Sequence, residues 1–322
     1  MIRPERDQDL GVLIEVARMY YEQGLTQVEI GQALNTSRST VSRLLQDARD
    51  RGVVTITINY GWACDARLED ELRLRYRLKD VSVLRSFNRP ADEIHQGLGQ
   101  LAAQALHKYL QPGMVLGISY GRSMAATIKH VAPLRKEDVT VVQIIGALGS
   151  GNPLIDGVDL ARELANKLEA RYRYLHAPLI VEDHRTRDLL MQEPSVHDVL
   201  ALGRRANIIL IGIGALAADV SGLIWTGYIN EKELQRLRNK GAVGHMCAQF
   251  FDSQGRILDI DFNQRSVSIG LQTLPSIETV IAVAGTRQKA AAILGALRGG
   301  YVDVLVTDDQ AAIELLKLAD GE

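Results

Sequence analysis

The segment TQVEIGQALNTSRSTVSRLL, residues 26–45, contains the signals for two short helices joined by a tight turn. Thr26 followed by Glu29 is a capping box, in which the threonine oxygen accepts an N–H of the first helical turn and the glutamate reaches back to the cap. Asn35 suits the left-handed residue that ends such a helix. Ser37 is a favoured N-cap for the next one. The segment therefore predicts a helix-turn-helix.

Hydrophobic residues recur on one side of each predicted helix. They are Ile30, Ala33 and Leu34 in the first helix and Val41, Leu44, Leu45 and Ala48 in the second. Gly31 has no Cβ, so another helix can cross closely there. The residues of the second helix that point away from this core are Arg38, Ser39, Thr40, Ser42, Arg43 and Gln46. Arginine and glutamine can bond to guanine and adenine edges, while serine and threonine suit phosphates. This face predicts a helix that enters the major groove of DNA. A helical hairpin with a solvated arginine face is the alternative.

The flanking sequence completes a small N-terminal domain. A first helix is predicted over residues 9–23, with Leu10, Leu13, Ile14, Ala17 and Tyr20 or Tyr21 available to cover the pair. VVTITI, residues 53–58, alternates as a small β-ribbon does. We expect an all-α helix-turn-helix domain with this ribbon over residues 1–60. The charged helix predicted within residues 61–79 is either a linker or an oligomerisation helix.

From residue 80 onward, short β-branched strands alternate with amphipathic helices. Strands are predicted at 81–84, 114–119, 139–145, 208–213, 279–284 and 302–307, and helices at 93–110, 123–131, 159–170, 231–238, 288–297 and 309–318. Nearly continuous apolar strands between helices indicate a parallel sheet covered on both faces. The predicted fold class is therefore α/β, with a Rossmann-like parallel domain over residues 80–322.

Composition restricts the class of protein. The chain has 322 residues, 46% hydrophobic and 24% charged, with a net charge of −2, as in ordinary globular proteins. Its two cysteines, Cys64 and Cys247, are too few for a disulfide framework or a zinc cluster. We expect no metal and no cofactor. The N-terminus lacks an apolar signal core and no apolar run is long enough to span a bilayer, so we expect a cytoplasmic protein with no membrane partner.

The predicted DNA-reading domain is not basic overall. The first 60 residues contain seven arginines and no lysine against eight acidic residues. The positive charge is local, because Arg38, Arg43, Arg49 and Arg51 lie on or beside one helix. A single copy should therefore bind weakly, and useful affinity would come from symmetric pairing on two half-sites. This predicts a homo-oligomer.

Three loops follow predicted strands, at the edge where parallel sheets bind ligands. The first contains Ser119, Tyr120, Gly121, Arg122 and Ser123, whose hydroxyls, glycine and cation at a helix start suit a phosphate. The second contains Gly146, Ala147, Leu148 and Gly149, and the third contains Gly212 and Gly214. Their small residues would let a ligand approach the backbone. Ordinary turn chemistry is the alternative for each loop.

Two further groups of residues are candidates for ligand contacts. Asp252, Asp259, Asp261, Asn263 and Arg265 form a polar cluster suited to sugar hydroxyls, with a charged, solvated loop as the alternative. Lys289 lies at the start of an alanine-rich helix. The helix dipole disfavours a lysine in the first turn, so its position indicates a nearby anion; a solvated lysine is the alternative.

With these features in place, the chain resembles the SorC family of transcriptional regulators, also called the sugar-binding DeoR-type group. The resemblance covers nearly the whole chain. Its marks are YYEQGLTQVEIGQALNTSRSTVSRLL, ISYGRS, NIILIGIGAL, GAVGHMCAQFFDSQGRILD and GTRQKAAAILGALRGGYVDVLVTD. The last of these is long enough to be specific.

The resemblance implies an N-terminal helix-turn-helix that binds operator DNA and an effector domain similar in fold to sugar-phosphate isomerases, without their catalytic apparatus. It also implies a tetramer built as a pair of dimers and an effector that is a sugar, a sugar phosphate or a polyol. Ser119, Gly121, Arg122 and Ser123 would hold a phosphate, and Asp261 and Lys289 the polar body of the ligand. Tyr21, Gln27, Arg38 and Arg43 would face DNA. The apolar pair Ala147 and Leu148 stands where a polar side chain would have met the ligand.

Two other functions compete with this interpretation. A sugar-phosphate isomerase or deaminase with an accessory helix-turn-helix would need a positioned general base beside the phosphate loop. The seven histidines are scattered, with no pairing motif: His95, His107, His130, His176, His184, His197 and His245. The second is a nucleic-acid-binding protein controlled only by protein partners. It would not explain the two cations, Arg122 and Lys289, in the loops that follow predicted strands.

Overall fold

A computed structural model describes residues 5–54, 62–86, 89–134, 136–149, 156–216 and 227–321. The chain divides into two compact units, Met1–Gly61 and Trp62–Glu322. No helix among the described residues is long and apolar enough to cross a membrane.

The first unit contains the three predicted helices, α1 (Glu5–Tyr21), α2 (Gln27–Ala33) and α3 (Arg38–Asp50). Val16, Ile30, Val41 and Leu45 form the centre of its core because they lie on the facing sides of the three helices. The predicted β-ribbon falls partly outside the described residues. Its first two residues, Val53 and Val54, form a bend after α3 and pack on the small cluster around Leu13 and Ala48.

The second unit is built on a seven-stranded parallel sheet. Its strands are β1 (Asp80–Leu84), β2 (Val115–Ile118), β3 (Thr140–Gln143), β4 (Arg171–Arg173), β5 (Ile208–Gly212), β9 (Thr279–Val283) and β10 (Val304–Asp308). They lie side by side in the order β1-β10-β9-β5-β2-β3-β4. All five residues of β9 and of β10 are buried, as expected for strands covered on both faces. The prediction of a parallel α/β domain is confirmed.

Helices cover both faces of this sheet. They are α4 (Ala66–Tyr76), α5 (Ala91–Tyr109), α6 (Arg122–His130), α7 (Gly157–Lys167), α8 (His184–Gln192), α9 (Pro194–Gly203), α10 (Glu231–Asn239), α11 (Asp261–Arg265), α12 (Ala290–Arg298) and α13 (Asp309–Asp320). Two separate hydrophobic clusters lie on the two sides of the sheet, one beneath α5, α6 and α7 and the other beneath α9, α12 and α13.

Several elements were not predicted because they are short or weakly patterned. β4 consists of three exposed residues at the sheet edge, so it lacks the apolar run of a buried strand. A second, three-stranded sheet contains β6 (Gly214–Ala215), β7 (Gly244–Met246) and β8 (Gln249–Phe251). Helix α8 contains no buried residue, which explains why it gave no periodic signal. The helix predicted at 288–297 begins with a 3-10 turn, Arg287–Lys289.

The segment set apart in the sequence as residues 61–79 contains α4, which is packed into the second unit. Leu68 and Leu72 are buried in the core beside the β1 residues Val81 and Val83. The main-chain N–H of Val83 donates to the Glu69 carboxylate over 2.9 Å. The helix is therefore part of the domain rather than a free linker, and an oligomerisation role for its outer face stays a prediction.

Candidate functional site

The turn between α2 and α3 has the local geometry that its sequence predicts. The Thr26 hydroxyl accepts the Glu29 N–H at 3.3 Å, and the Glu29 carboxylate accepts the Thr26 N–H at 2.8 Å. A Cβ at position 31 would lie 2.9 Å from the carbonyl oxygen of Thr36, so only glycine fits there without a shift. Asn35 has a φ of 48°. Helix α2 therefore ends in a turn that leads directly into α3.

The outer face of α3 carries cations available to a partner. Arg38 and Arg43 are exposed and make no ion pair with any residue in the described ranges. Ser39 and Ser42 are exposed on the same helix, whereas Thr40 is half-buried, and the hydroxyls of Ser39 and Thr40 bond to the Ser37 hydroxyl. No acidic residue stands in the first turn of α3. The Thr40 N–H is capped by the Ser37 hydroxyl over 3.1 Å. The start of this helix nevertheless combines the positive end of its dipole with an arginine, which suits an anion such as a DNA phosphate.

The predicted DNA-facing residues do not all lie together. Gln27 and Arg38 line one surface groove, with Tyr20 and Thr26 beside them. Tyr21 is near the other end of α3, where its hydroxyl accepts a hydrogen bond from Nε of Arg49 over 3.0 Å. Gln46 is exposed and donates to Asp50 over 2.9 Å. Tyr21 and Gln46 thus have partners within the unit, which hold them in place.

In the second unit, one cavity lies at the carboxyl ends of β2, β3 and β5. The empty space between its walls, including the open mouth, is about 730 Å³. The described residues that line it are His95, Ser119, Tyr120, Gly121, Arg122, Ser123, Ile145, Leu148, Ile211, Gly212, Ile213, Gly214, His245, Met246, Cys247, Ala248 and Lys289. This position agrees with the general placement of ligands in parallel α/β sheets.

The cavity includes the open N-terminus of α6. The N-cap is Gly121, with a φ of 109° and no side-chain capping hydrogen bond. Because glycine adopts this conformation readily, the chain can turn sharply from β2 into the helix. The first N–H groups of α6 therefore face the cavity without a capping side chain, next to the side chains of Arg122 and Ser123. The buried Ser119 hydroxyl also accepts the Gly212 N–H at 3.4 Å.

Lys289 reaches the cavity from the loop that follows β9. Burial of the ammonium and repulsion from the Arg122 guanidinium together lower the pKa of Lys289 to about 8, against the opposing effect of the Asp308 carboxylate. Thr286, which precedes the 3-10 segment Arg287–Lys289, has a φ of 81°, and its N–H donates to the Asp308 carboxylate at 2.5 Å. This strained turn fixes the start of the 3-10 segment that carries the lysine.

His245 is a cavity residue that the sequence analysis did not single out. It lies on β7, is buried, and has no hydrogen-bond partner at Nε2 among the described atoms. Burial, with a contribution from Lys289, lowers the pKa of His245 to about 3, so the imidazole is neutral at physiological pH. Its ring packs on Phe250, with 5.2 Å between centroids, and a Cβ on Gly214 would overlap it. The only signal in the sequence was an isolated histidine beside glycine.

The turn between β7 and β8 closes the cavity on one side. Cys247 and Ala248 both adopt the left-handed conformation, with φ values of 49° and 56°. Two such residues form the primed turn that a two-residue hairpin requires, which favours glycine or asparagine. Burial raises the pKa of the Cys247 thiol to about 12, so it stays protonated. Met246 and the turn were missed in the sequence because neither carries a polar motif.

The loop after β3 contributes less to the cavity than its glycines suggested. Of its four candidate residues, only Leu148 lines the cavity; Gly146, Ala147 and Gly149 do not. Gly146 lies against Pro178, and Ala147 forms a β-bridge with it. The small residues of this loop serve backbone packing, and its apolar side chain faces the cavity.

Asp252 and Asp261 are not brought to the cavity. Asp252 follows β8, at the end of the hairpin remote from the Cys247 turn, and its carboxylate pairs with Arg256 at 2.8 Å. Asp261 begins α11 and pairs with Arg265 at 2.7 Å, with 79% of its side chain exposed. The polar cluster that they belong to in the sequence organises turns around β8 and α11. Among the described ranges, no group of histidine, cysteine and acidic residues is placed to hold a metal ion.

Comparison with known proteins relates both units to regulators. A family model described as a putative sugar-binding domain matches residues 63–317, and one described as sigma-70, region 4, matches residues 15–51. The sorbitol operon regulator of Klebsiella pneumoniae is 30% identical over 97% of this chain and 100% of its own length. The chain belongs to the SorC family of transcriptional regulators.

Other members of the SorC family support the same assignment. The deoxyribonucleoside regulator of Bacillus subtilis (strain 168) is 31% identical, over 94% of this chain and 96% of its own. The crystal structure of the full-length sorbitol operon regulator SorC from Klebsiella pneumoniae superposes with a TM-score of 0.72 at 28% identity, covering 96% of this chain and 99% of that chain.

The two sites fall within the two regions that the SorC-family comparison identifies. Helices α2 and α3 lie inside residues 15–51, and every described cavity residue lies inside residues 63–317. The protein is thus a transcriptional regulator with a helix-turn-helix unit and a sugar-binding domain. The relatives are named as regulators, so the comparisons do not support the isomerase or deaminase interpretation.

Proposed function

We propose that this regulator binds a phosphorylated sugar or polyol in the cavity of its second unit, and that the bound ligand changes its affinity for operator DNA. One observation carries the choice of a phosphorylated ligand. The lining residues include two cations, Arg122 and Lys289, and no carboxylate among those described. A site that presents two cations and no acidic side chain to the cavity attracts an anion.

The phosphate is held at the start of α6. Its oxygens accept the open N–H groups after Gly121, the Arg122 guanidinium and the Ser123 hydroxyl, with Ser119 beside them. A helix N-terminus favours negative charge through its dipole, and arginine binds phosphate in a fork geometry. Lys289 completes the charge balance from the opposite wall. A bound anion also offsets the desolvation of this lysine.

The uncharged part of the ligand lies between His245, Lys289 and the backbone at Gly212 and Gly214. The neutral imidazole has one donor and one acceptor nitrogen, which matches a hydroxyl group. The absence of side chains at the two glycines gives a sugar access to the backbone. The names of the relatives favour this ligand class, because sorbitol is a polyol and deoxyribonucleosides contain a pentose.

On the DNA side, α3 lies in the major groove in this proposal. Arg38, Arg43 and Gln46 contact base edges or phosphates, and Ser39 and Ser42 contact the sugar-phosphate backbone of the DNA. Tyr21, Gln27 and Thr40 flank this surface. The arginines without an ion pair in the described ranges support this arrangement, because folding leaves their charges available.

We further infer that the regulator acts in the cytoplasm as a homotetramer, built as a pair of dimers, on paired half-sites. The small number of cations on one reading helix supports oligomerisation, since one copy neutralises few phosphates. When two DNA-binding units are linked, binding of the first raises the effective concentration of the second at its half-site, which increases the overall affinity. Sedimentation of the full chain with and without DNA tests the assembly state.

A thermal-shift screen tests the choice of ligand. Inorganic phosphate and a panel of free and phosphorylated sugars and polyols are added to the full chain, to Arg122→Ala and to the surface control Arg236→Ala. A ligand at 100 times its Kd adds about 2.7 kcal/mol of stability. We expect phosphorylated compounds to stabilise the wild type and the control but not Arg122→Ala. Stabilisation by free sugars alone would contradict the proposal, and turnover of a hit would revive the enzyme interpretation.

A further inference from the structure

Residues 62–64, the first described residues of the second unit, are fixed to strand β1 of the large sheet. The second unit begins at Trp62. Cys64 forms an antiparallel bridge with Leu84, the last residue of β1, and the Arg85 N–H donates to the Ala63 carbonyl over 2.8 Å. Because the strands of this sheet are parallel, β1 ends on the same side of the sheet as the strands that border the cavity. Residues 62–64 and the cavity therefore both lie at the carboxyl end of the sheet.

The Trp62 side chain is seated on helix α5. Its Nε1 donates to Oε1 of Gln100 over 2.6 Å, and the Arg89 guanidinium lies 4.7 Å from the ring centroid. A Cβ at Gly97 would be 2.9 Å from Cε3 of Trp62, so the ring approaches the helix where no side chain intervenes. The indole position is thus tied to the position of α5 by a hydrogen bond, a cation–π contact and close packing.

The same helix contacts the cavity through a lining residue and a tight helix contact. His95 lines the cavity directly. At Gly99, a Cβ would lie 2.5 Å from the carbonyl carbon of Ala126 on α6, the helix that presents Arg122. Helices α5 and α6 therefore pack backbone to backbone, with no side chain able to absorb a displacement between them.

A third contact joins α5 to the loop that carries Lys289. A Cβ at Gly285 would lie 2.5 Å from Cδ1 of Leu98, so this side chain rests on the glycine that precedes the strained Thr286. Helix α5 thus touches both walls that bear the cavity cations. Glycine destabilises the interior of a helix relative to alanine, and in α5 both Gly97 and Gly99 are sites of close approach.

We propose that α5 transmits occupancy of the cavity to Trp62, which acts as a positioning residue for the segment that joins the DNA-binding unit. This inference rests on the proposed function, in which an anion binds between Arg122 and Lys289. An anion attracted by both cations draws together the two walls that carry them. Both walls pack tightly on α5, so the helix shifts when the walls move. The indole, which packs at Gly97 and bonds to Gln100, shifts with the helix.

The emission of Trp62 tests the inference directly. The chain has two tryptophans, and Trp225→Phe leaves Trp62 as the single fluorophore. Inorganic phosphate, which occupies only the anion site, is titrated into this full-length protein while occupancy is followed by thermal shift in the same samples. We expect the Trp62 emission to change with the same half-saturation as the thermal shift.

Gln100→Leu provides the decisive variant because it removes the acceptor for the indole N–H without touching the cavity. Gln104→Leu, at an exposed position one turn further along α5, is the matched control. In the Trp225→Phe background, we expect Gln100→Leu to bind phosphate with unchanged affinity and to lose most of the emission change. Gln104→Leu should respond like its parent.

The outcomes separate this inference from the proposed function. If phosphate binds but the Trp62 emission does not move, or if Gln100→Leu responds as fully as Gln104→Leu, transmission through α5 is overturned. If phosphate does not bind, or binds equally well to Arg122→Ala, the anion site itself fails and the inference falls with it.

Discussion

Lys289 and Arg122 line one cavity, and burial together with repulsion from the Arg122 guanidinium holds the pKa of Lys289 at about 8. A half-buried lysine near a second cation is unfavourable for folding and favourable for binding an anion. The relationship can therefore be tested through the free energy of unfolding and through the pH dependence of anion binding.

Replacing Lys289 with methionine should stabilise the ligand-free protein at pH 7. The pKa of this lysine is lowered from 10.5 to about 8 on folding. At 1.36 kcal/mol per pKa unit, removal of the charge contributes up to about 3 kcal/mol. The unfolded state binds more protons between the two pKa values, so the wild type regains stability as pH rises through that window. Urea unfolding of both proteins at pH 7 and pH 10 should show the difference shrinking. An equal difference at both pH values would contradict the buried-cation account.

Anion binding should weaken as pH rises above 8. A sugar phosphate is a phosphate monoester with a second pKa of about 6, so it is already doubly ionised in this range and the change reports the loss of the proton from Lys289. Calorimetric titration between pH 7 and pH 9.5 with the sugar phosphate that gives the largest thermal shift measures the effect. Lys289→Met should bind more weakly and with little pH dependence. A wild-type affinity that is constant across this range would remove Lys289 from the site.

Gly214→Ala should destabilise the second unit, because the added Cβ overlaps the buried imidazole of His245. Overpacking of this kind costs about 1 to 3 kcal/mol. Combining it with His245→Ala removes the clash, so the double variant should be more stable than the sum of the single effects predicts. Denaturant unfolding of the four proteins gives this coupling energy. A coupling near zero would show that the ring does not occupy the space above Gly214.

Ala248→Gly should stabilise the protein by roughly 0.5 to 1 kcal/mol. Ala248 has a φ of 56°, where a Cβ costs about 1 to 2 kcal/mol and glycine does not incur that cost. The half-buried helical residue Ala201 is the control, because Ala201→Gly should destabilise by about 1 kcal/mol. Thermal unfolding compares the two variants. A loss of stability at both positions would contradict the left-handed turn.

Much of the architecture follows from local signals in the sequence. The capping box at Thr26 and the cap at Ser37 fixed two helix starts to the residue, since each depends on a side chain bonding to nearby backbone. The buried strands β5, β9 and β10 were predicted from continuous apolar runs. The exposed strand β4 and the two-residue strand β6 were missed because neither has enough residues to show a pattern.

The site was only partly predictable for a different reason. Arg122, Lys289 and the glycines near them adjoin strand ends, which the topology brings to one edge. His245 belongs to a hairpin that folds over that edge, and its proximity depends on long-range packing with Gly214 and Phe250. Asp261 was expected at the ligand from its polar cluster and from the family resemblance, but neither signal revealed the local ion pair that its carboxylate makes with Arg265.

The central claim is that an anionic ligand in the cavity changes the affinity with which α3 binds DNA. The most direct measurement is the Kd of the full-length regulator for an operator selected from random duplex DNA, with and without the phosphorylated compound that gives the largest thermal shift. We expect the wild-type Kd to change by at least about fivefold, the lower end of typical allosteric coupling. Arg122→Ala should bind DNA normally and lose this response, whereas Arg43→Ala should lose DNA affinity and keep ligand binding. A wild-type Kd unchanged by the bound ligand, or loss of both functions in both variants, would contradict the account.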